Sequence, residues 1–94
     1  MAAPPDPDKR WYVYMVRASD YSLYTGSTSN PQKRFQEHVS QGKRTAKYLR
    51  GKIPLRLVYC EELPSKSDAL KREHDIKRMK KVQKEALITQ QSQN

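Results

Sequence analysis

Near the start of the chain, apolar and aromatic residues occur in two short runs separated by polar residues. The first run, Trp11 to Val16, is aromatic and β-branched, and the second extends from Ser22 to Ser27. Such composition favours β-strands, and the polar segment Ser19 to Ser22 between them is typical of a turn. The pattern therefore predicts an antiparallel hairpin, with Gly26 near its end where a missing Cβ allows close backbone approach.

A third strand is predicted over Pro54 to Leu63, because apolar and polar residues alternate there and Pro64 follows. The alternation places one set of side chains on each face of the strand. The first set is Leu55, Leu57 and Tyr59, and the second is Arg56, Val58 and Cys60.

Helices are predicted from their start and stop signals. Asn30 followed by Pro31 is typical of a helix N-terminus, and we expect this helix to end near Val39 or Ser40, before Gln41 and Gly42. A second helix begins after Ser65, with Asp68 in the capping-box position, and ends near Met79. A short basic helix is predicted from Lys81 or Val82 to Ile88, and the segment 43–52 holds one or two helical turns at most.

These elements predict a single α/β domain, more narrowly an α+β sandwich, in which helices flank a three-stranded antiparallel sheet. We expect the domain to span residues 11–88. Residues 1–10 contain three prolines and are expected to form a disordered tail, and the polar, glutamine-rich segment 89–94 a frayed one.

Charge narrows the functional possibilities. The 94 residues contain 19 Lys and Arg against 10 Asp and Glu, a formal charge of +9, so a polyanion is the expected partner. The lone Cys60 permits no disulfide framework, and the sequence shows neither a signal peptide nor an apolar run of about 20 residues. We therefore expect a cytoplasmic protein that is neither secreted nor membrane-spanning. Association with the nucleoid is compatible with this expectation.

Three polar side chains in the predicted helices are candidates for a functional site. Glu73 lies on or beside the apolar stripe of the second helix, where a carboxylate needs a cation partner; that cation is either a metal or Lys77 or Arg72 in a salt bridge. Arg34 and His38 are spaced i, i+4 and share a helix face. One interpretation is that Arg34 presents a fixed fork to a phosphate, while His38 hydrogen-bonds the phosphate or passes a proton. The alternative is a half-exposed polar edge with His38 packed on the sheet.

The tyrosines of the hairpin are ambiguous on pattern alone, because strand tyrosines mostly lie at the edge of a core with a satisfied hydroxyl. The chain nevertheless has six tyrosines, and four of them fall in the hairpin: Tyr12, Tyr14, Tyr21 and Tyr24. Other site classes lack support, since there is no CxxC pair, P-loop, dinucleotide glycine pattern or clustered carboxylates.

Taken together and in order, these residues resemble the GIY-YIG nuclease domain, and more narrowly its small stand-alone branch of short bacterial proteins. The resemblance covers roughly residues 11–88 and rests on Trp11-Tyr12-Val13-Tyr14, Leu23-Tyr24-Thr25-Gly26, Arg34, His38, Leu57-Val58-Tyr59, and Ala69 to Glu73 with Ile76-Lys77. Two motif positions differ from the family pattern, with Tyr12 in place of glycine and Thr25 in place of isoleucine.

The resemblance implies a metal-dependent endonuclease. By it, Tyr14 activates the attacking water, Tyr24 positions the water or phosphate, and Arg34 stabilises the pentacovalent phosphate. His38 is a supporting hydrogen-bonder, and Glu73 binds the metal, Mg²⁺ or Mn²⁺. A single carboxylate with waters and phosphate oxygens is a common way of holding Mg²⁺.

Nucleic-acid binding, to DNA rather than RNA, is expected from two basic groups of residues. The first group is Lys43, Arg44, Lys47, Tyr48, Arg50 and Lys52, and the second is Lys77, Arg78, Lys80, Lys81 and Lys84. Tyr48 either stacks on an unpaired base or packs under a loop.

The leading hypothesis is a DNA endonuclease of low sequence selectivity acting in repair or recombination, as a monomer or weak dimer. The alternatives are a nucleic-acid-binding module without useful catalysis and a protein-interaction adaptor.

Overall fold

The computed structural model describes residues 10–92 as one three-stranded antiparallel sheet with helices on both faces. The expectation for residues 1–9 of the N-terminal tail, and for 93–94, lies outside the described residues. The elements in chain order are β1 (Trp11–Arg17), β2 (Leu23–Thr28), α1 (Pro31–Val39), a 3₁₀ turn (Lys47–Leu49), β3 (Arg56–Leu63), α2 (Lys66–Lys77) and α3 (Lys81–Ser92). The predicted α+β sandwich is therefore confirmed.

The hairpin strand β1 lies in the centre of the sheet, between β2 and β3. Its four middle residues are all buried, Val13 and Met15 on one face and Tyr14 and Val16 on the other. A strand covered on both faces needs apolar or aromatic side chains at every position, which explains its continuous hydrophobic run. Helices α2 and α3 cover the Val13 face, and α1 with the 3₁₀ turn covers the Tyr14 face.

The strict alternation predicted for β3 is wrong at one point. A β-bulge opposite Met15 and Val16 shifts the register, so that Met15 pairs with Tyr59 while Val16 pairs with Leu57. Leu57 and Tyr59 consequently lie on opposite faces of the sheet. A bulge adds a residue to one strand and reverses the face of every later side chain, and no local sequence signal marks it here.

Both main helices begin where their caps predict. Asn30 accepts a hydrogen bond from the Lys33 N–H at 3.2 Å, and Ser65 accepts one from the Asp68 N–H at 3.1 Å. Helix α1 ends after Val39, and Gln41 rather than Gly42 adopts the left-handed backbone, with φ of 58°.

Helix α3 continues four residues beyond its predicted end. The Gln91 amide explains this, because it donates to the Cys60 carbonyl at 2.7 Å and accepts from the Cys60 N–H at 3.1 Å, which anchors the last turn to the outer edge of β3. Among residues 10–92, no helix combines the length and the hydropathy that crossing a bilayer requires.

Candidate active site

The ring of Tyr14 lies directly over Gly26, its cross-strand partner in the hairpin. A Cβ placed on Gly26 would stand 2.6 Å from Tyr14 Oη and 2.7 Å from Cζ, distances that no real Cβ tolerates. Glycine is therefore required here by close approach rather than by an unusual backbone conformation, and it lets the phenol lie flat across the edge strand β2.

The phenol oxygen of Tyr14 is held by His38, which is fully buried on the inner side of α1. Tyr14 Oη and His38 Nε2 are 2.9 Å apart, and the Ala46 N–H donates to His38 Nδ1 at 3.3 Å. A ring nitrogen that accepts a hydrogen bond carries no proton, so this network assigns the proton of the neutral imidazole to Nε2. His38 therefore donates to Tyr14 Oη.

Burial keeps both members of this pair uncharged. It lowers the pKa of His38 to about 4, with the Arg34 guanidinium as a smaller cause in the same direction. Burial also raises the pKa of Tyr14 well above its ordinary value, an effect that Arg34 partly opposes. At neutral pH the pair is thus a neutral imidazole and a neutral phenol.

Arg34 stands on α1 one turn before His38, and its positive charge acts to lower the pKa of the Tyr14 phenol. Its Nη1 donates to Glu37 Oε1 at 3.1 Å and to the Arg44 carbonyl at 2.7 Å. These contacts fix the guanidinium at the wall of an open cavity of about 760 Å³, which Ser27, Asn30 and Arg44 also line. A fixed guanidinium at a cavity wall is suited to binding a phosphate.

Tyr24 completes an aromatic cluster on this face of the sheet. Its ring centroid lies 6.2 Å from that of Tyr14, 5.4 Å from that of His38 and 6.2 Å from that of Tyr48. Both strand tyrosines and both α1 residues predicted as catalytic therefore lie side by side.

Glu73 lies across the edge strand from this cluster. Its helix α2 packs on the other face of the sheet, and the side chain, 18% exposed, lies between the buried residues Ala69 and Ile76. Ser27 donates to Glu73 Oε1 at 2.6 Å, and Lys77 Nζ is 2.7 Å from Glu73 Oε2. The salt bridge that the sequence left open as an alternative is thus present.

The Glu73 carboxylate and the Tyr14 phenol lie on opposite faces of the sheet, with the edge strand β2 between them. Gly26 carries the Tyr14 ring on one face, while the next residue, Ser27, holds Glu73 on the other. Because β2 is an edge strand, no further strand lies beyond this boundary. Ser27 also lines the cavity of Arg34, whereas Tyr14 and Glu73 are not among its lining residues.

The donor set at Glu73 fits a hard divalent cation that keeps most of its water. Within residues 10–92, no three histidine, cysteine or acidic side chains converge as a metal site. Mg²⁺ bound by one carboxylate, waters and substrate phosphate oxygens does not need such a cluster. Lys77 already places a positive charge on Oε2, and a metal ion would have to displace it.

The predicted nucleic-acid-binding residues lie mainly on the surface, and several are engaged within the chain. Arg44 pairs with Glu37 at 3.4 Å, and Lys81 Nζ donates to the Tyr21 carbonyl at 2.8 Å. Lys52 Nζ pairs with Asp20 and lies 3.9 Å from the centre of the Tyr48 ring. The exposed members are Lys43, Arg44, Lys47, Tyr48, Arg50, Lys77, Arg78, Lys80 and Lys81.

Three residues that contact the site were not predicted from the sequence. Ser27 orients the carboxylate, Ala46 sets the histidine tautomer through its N–H, and Glu37 braces Arg34. Only Glu37 carried a usable signal, since it lies three residues after Arg34 on the same helix. Ser27 is remote in sequence from its partner Glu73, and Ala46 acts through its backbone N–H, which its side-chain type does not reveal.

Comparison with known proteins agrees with this geometry. The GIY-YIG catalytic domain matches residues 10–86. A UPF0213 protein of Syntrophus aciditrophicus is 49% identical over 79 residues, covering 84% of this chain and 90% of the relative. One from Natronomonas pharaonis is 43% identical over 82 residues, covering 86% and 93%.

A solved structure shares the fold. The solution NMR structure of the UPF0213 protein BH0048 from Bacillus halodurans has a TM-score of 0.55 and 38% identity, covering 85% of this chain and 83% of that one. The relatives are themselves small proteins that this chain spans almost completely. The chain therefore belongs to the GIY-YIG nuclease family, within its small UPF0213 branch.

Proposed function

We propose that the protein is a divalent-metal-dependent endonuclease that hydrolyses DNA phosphodiester bonds with low sequence selectivity, in repair or recombination. One observation carries the proposal: the Tyr14 hydroxyl lies 2.9 Å from His38 Nε2 and is influenced by the charge of Arg34. Glu73 lies across the edge strand β2, where Ser27 holds it. A structural tyrosine also needs a hydrogen-bond partner when it is buried, but it does not need a neighbouring guanidinium.

Tyr14 positions the attacking water. Its oxygen accepts one hydrogen bond from His38, and its second lone pair remains for a proton of the water. Burial holds the phenol neutral in the resting protein, so Tyr14 acts as a base only when positive charge beside it lowers its pKa. Arg34 supplies part of that charge, and His38 acts through Tyr14 as a positioning residue.

Arg34 stabilises the negative charge that develops on the phosphate oxygens during attack. Glu37 and the Arg44 carbonyl hold its guanidinium in place, so little reorganisation is needed when the charge appears. Tyr24, in contact with the same cluster, fixes the orientation of the scissile phosphate.

Glu73 would hold the metal, oriented by the Ser27 hydroxyl. A bound Mg²⁺ or Mn²⁺ supplies charge neutralisation on the phosphate and lowers the pKa of a coordinated water. Binding is expected to be weak before substrate arrives, because Glu73 is a single carboxylate and Lys77 competes for it.

The basic surface supplies affinity for the DNA backbone. With a formal charge of +9 and exposed lysines and arginines on both sides of β2, contacts are made to phosphates. Such contacts are strongly dependent on salt and carry little sequence information, which agrees with low sequence selectivity.

A second function, a nucleic-acid-binding module without useful catalysis, is favoured by one observation. The Lys77 ammonium already neutralises Glu73 at 2.7 Å, as it would in a protein that no longer binds a metal there. The two functions differ in their need for a divalent ion, because phosphate binding by lysine and arginine needs none.

The deciding experiment incubates the protein with supercoiled plasmid and with a branched junction, in Mg²⁺ or Mn²⁺ and in EDTA. Metal-dependent nicking that Glu73→Gln abolishes, with DNA affinity retained, supports the nuclease. Asp75→Asn is the matched control, since Asp75 is an exposed acid two residues further along the same helix. Binding with no metal-dependent nicking would instead favour the module, and full activity in Glu73→Gln would contradict the proposed role of Glu73.

A further inference from the structure

A second cavity, of about 350 Å³, adjoins the candidate active site at the other end of β2. Two aromatic rings, two lysines and two further strand residues form its wall. They are Leu23, Tyr24, Thr25, Tyr48, Lys77 and Lys84. An aromatic wall with amino groups at its rim is the combination that binds a nucleobase with its flanking phosphates.

The ring of Tyr48 is exposed but fixed in place. It is 47% exposed, although the next residue, Leu49, is fully buried and anchors the turn. The Lys52 ammonium lies 3.9 Å from its ring centre and is itself held by Asp20 at 3.3 Å. A large aromatic side chain held rigid in a basic surface loses little conformational entropy when it binds a partner.

Tyr24 and Lys77 connect this cavity to both halves of the candidate site. The Tyr24 ring lies between Tyr48 and the Tyr14–His38 pair, and Lys77 Nζ is 2.7 Å from Glu73. A nucleotide seated in the cavity would therefore place its neighbouring phosphate beside the residues proposed to cut it.

Lys84 extends the basic rim. It also lines an adjoining cavity of about 250 Å³, together with Tyr48 and Lys81. The two cavities share Leu23, Tyr48 and Lys84, so they adjoin near the start of β2, and Asp20 also lines the smaller one. A base in a duplex is stacked on its neighbours and shows only its edges in the grooves, so an aromatic wall is of use only to an unpaired base.

We propose that the cavity lined by Tyr24 and Tyr48 binds an unpaired nucleobase of the DNA strand to be cut. The substrate is then single-stranded DNA, or duplex DNA with an unpaired base next to the scissile phosphate. This inference rests on the proposed function for the cutting step, but the base-binding step stands by itself.

The test measures binding in EDTA, where no cleavage occurs. A fluorescent single-stranded DNA of about 12 nucleotides containing 2-aminopurine, and the duplex of the same sequence, are titrated with the protein and with Tyr48→Leu. Loss of a stacked base is expected to weaken single-strand binding about 5- to 150-fold. Duplex binding, which depends on phosphates, should change less than twofold, and Tyr48→Trp should retain single-strand affinity and the quenching of 2-aminopurine.

Tyr21→Leu is the matched control, because Tyr21 is 71% exposed and does not line the cavity. Equal losses on single strand and duplex, or an equal loss from Tyr21→Leu, would overturn the proposal. An RNA strand of the same sequence, bound as tightly as DNA, would keep the base site but overturn its assignment to DNA.

The binding result is independent of the nuclease proposal. Selective loss in Tyr48→Leu without any metal-dependent nicking would leave the base site standing and remove the nuclease. Metal-dependent nicking by the wild type, together with equal losses of single-strand and duplex binding in Tyr48→Leu, would leave the nuclease standing and remove the base site.

Discussion

The imidazole of His38 donates its Nε2 proton to the phenol oxygen of Tyr14 across 2.9 Å, because the Ala46 N–H occupies the other ring nitrogen. This relationship makes the histidine a fixed donor rather than a proton carrier. Both ring nitrogens are thereby occupied, and both side chains are buried, His38 at 0% and Tyr14 at 1% exposure. The phosphate contact left open for His38 by its sequence position is therefore not available to it.

Tyr14→Phe tests the role of the phenol oxygen. Removing it leaves the ring packed over Gly26 but takes away the hydroxyl proposed to position the attacking water, so we expect cleavage to fall about 10²- to 10⁴-fold. Single-turnover nicking of a plasmid measures the loss, and thermal melting reports whether the fold is intact. Near-wild-type cleavage by Tyr14→Phe would remove Tyr14 from the mechanism.

His38 makes stability depend on pH. Its pKa is about 4 in the folded protein, below the ordinary value near 6.5 in the unfolded chain, so the unfolded state binds the proton more readily. Its contribution to stability is therefore complete above about pH 6.5 and is lost as the pH falls towards 4. Urea unfolding between pH 7.5 and 4.5 should show this decline.

His38→Gln should flatten that decline, and the exposed His74 provides the control. His74→Gln is expected to leave the pH profile as in the wild type, because its side chain is exposed on α2. A decline of equal steepness in His38→Gln would show that another group is responsible.

Gly26→Ala should destabilise the protein and reduce cleavage, because the new methyl group would collide with Tyr14. Forcing the ring aside is expected to cost about 1–3 kcal/mol, measured by urea unfolding. The same substitution in a Tyr14→Ala background should cost much less, since the colliding ring is absent. Equal costs in both backgrounds would contradict the contact.

Lys77→Met should lower the concentration of Mn²⁺ needed to occupy Glu73. The ammonium neutralises Oε2 at 2.7 Å, and removing it leaves the carboxylate free for a divalent ion. Mn²⁺ binding followed by electron paramagnetic resonance measures this without reference to activity. Lys80→Met, which removes an equal charge from an exposed position, is the control, and an equal gain there would indicate a general charge effect.

Thr25→Val should stabilise the protein by about 1 kcal/mol. Thr25 is 3% exposed, and its Oγ1 is the one buried side-chain polar atom in residues 10–92 that lacks a hydrogen-bond partner. Valine has nearly the same shape without the cost of burying an unpaired hydroxyl. A melting temperature lower than that of the wild type would show that the hydroxyl has a partner, such as a buried water.

The positions of the secondary-structure elements could be predicted from local sequence because their causes are local. Asn30 and Ser65 cap the helices through backbone groups three residues away, and the run from Trp11 to Val16 favours a strand at every position. The close approach at Gly26 was also foreseeable, since only glycine leaves room there. Charge and motif order then predicted the family.

Only the tertiary structure determined on which face of the sheet each site residue lies and which groups it contacts. The bulge opposite Met15 and Val16 places Leu57 and Tyr59 on opposite faces of the sheet. The fold also places Tyr14 on the face covered by α1 and Glu73 on the face covered by α2. The tautomer of His38 depends on a backbone N–H eight residues away, and the orientation of Glu73 on a hydroxyl 46 residues away. Such contacts arise from three-dimensional packing between remote segments, and the spacing of residues along a chain does not record them.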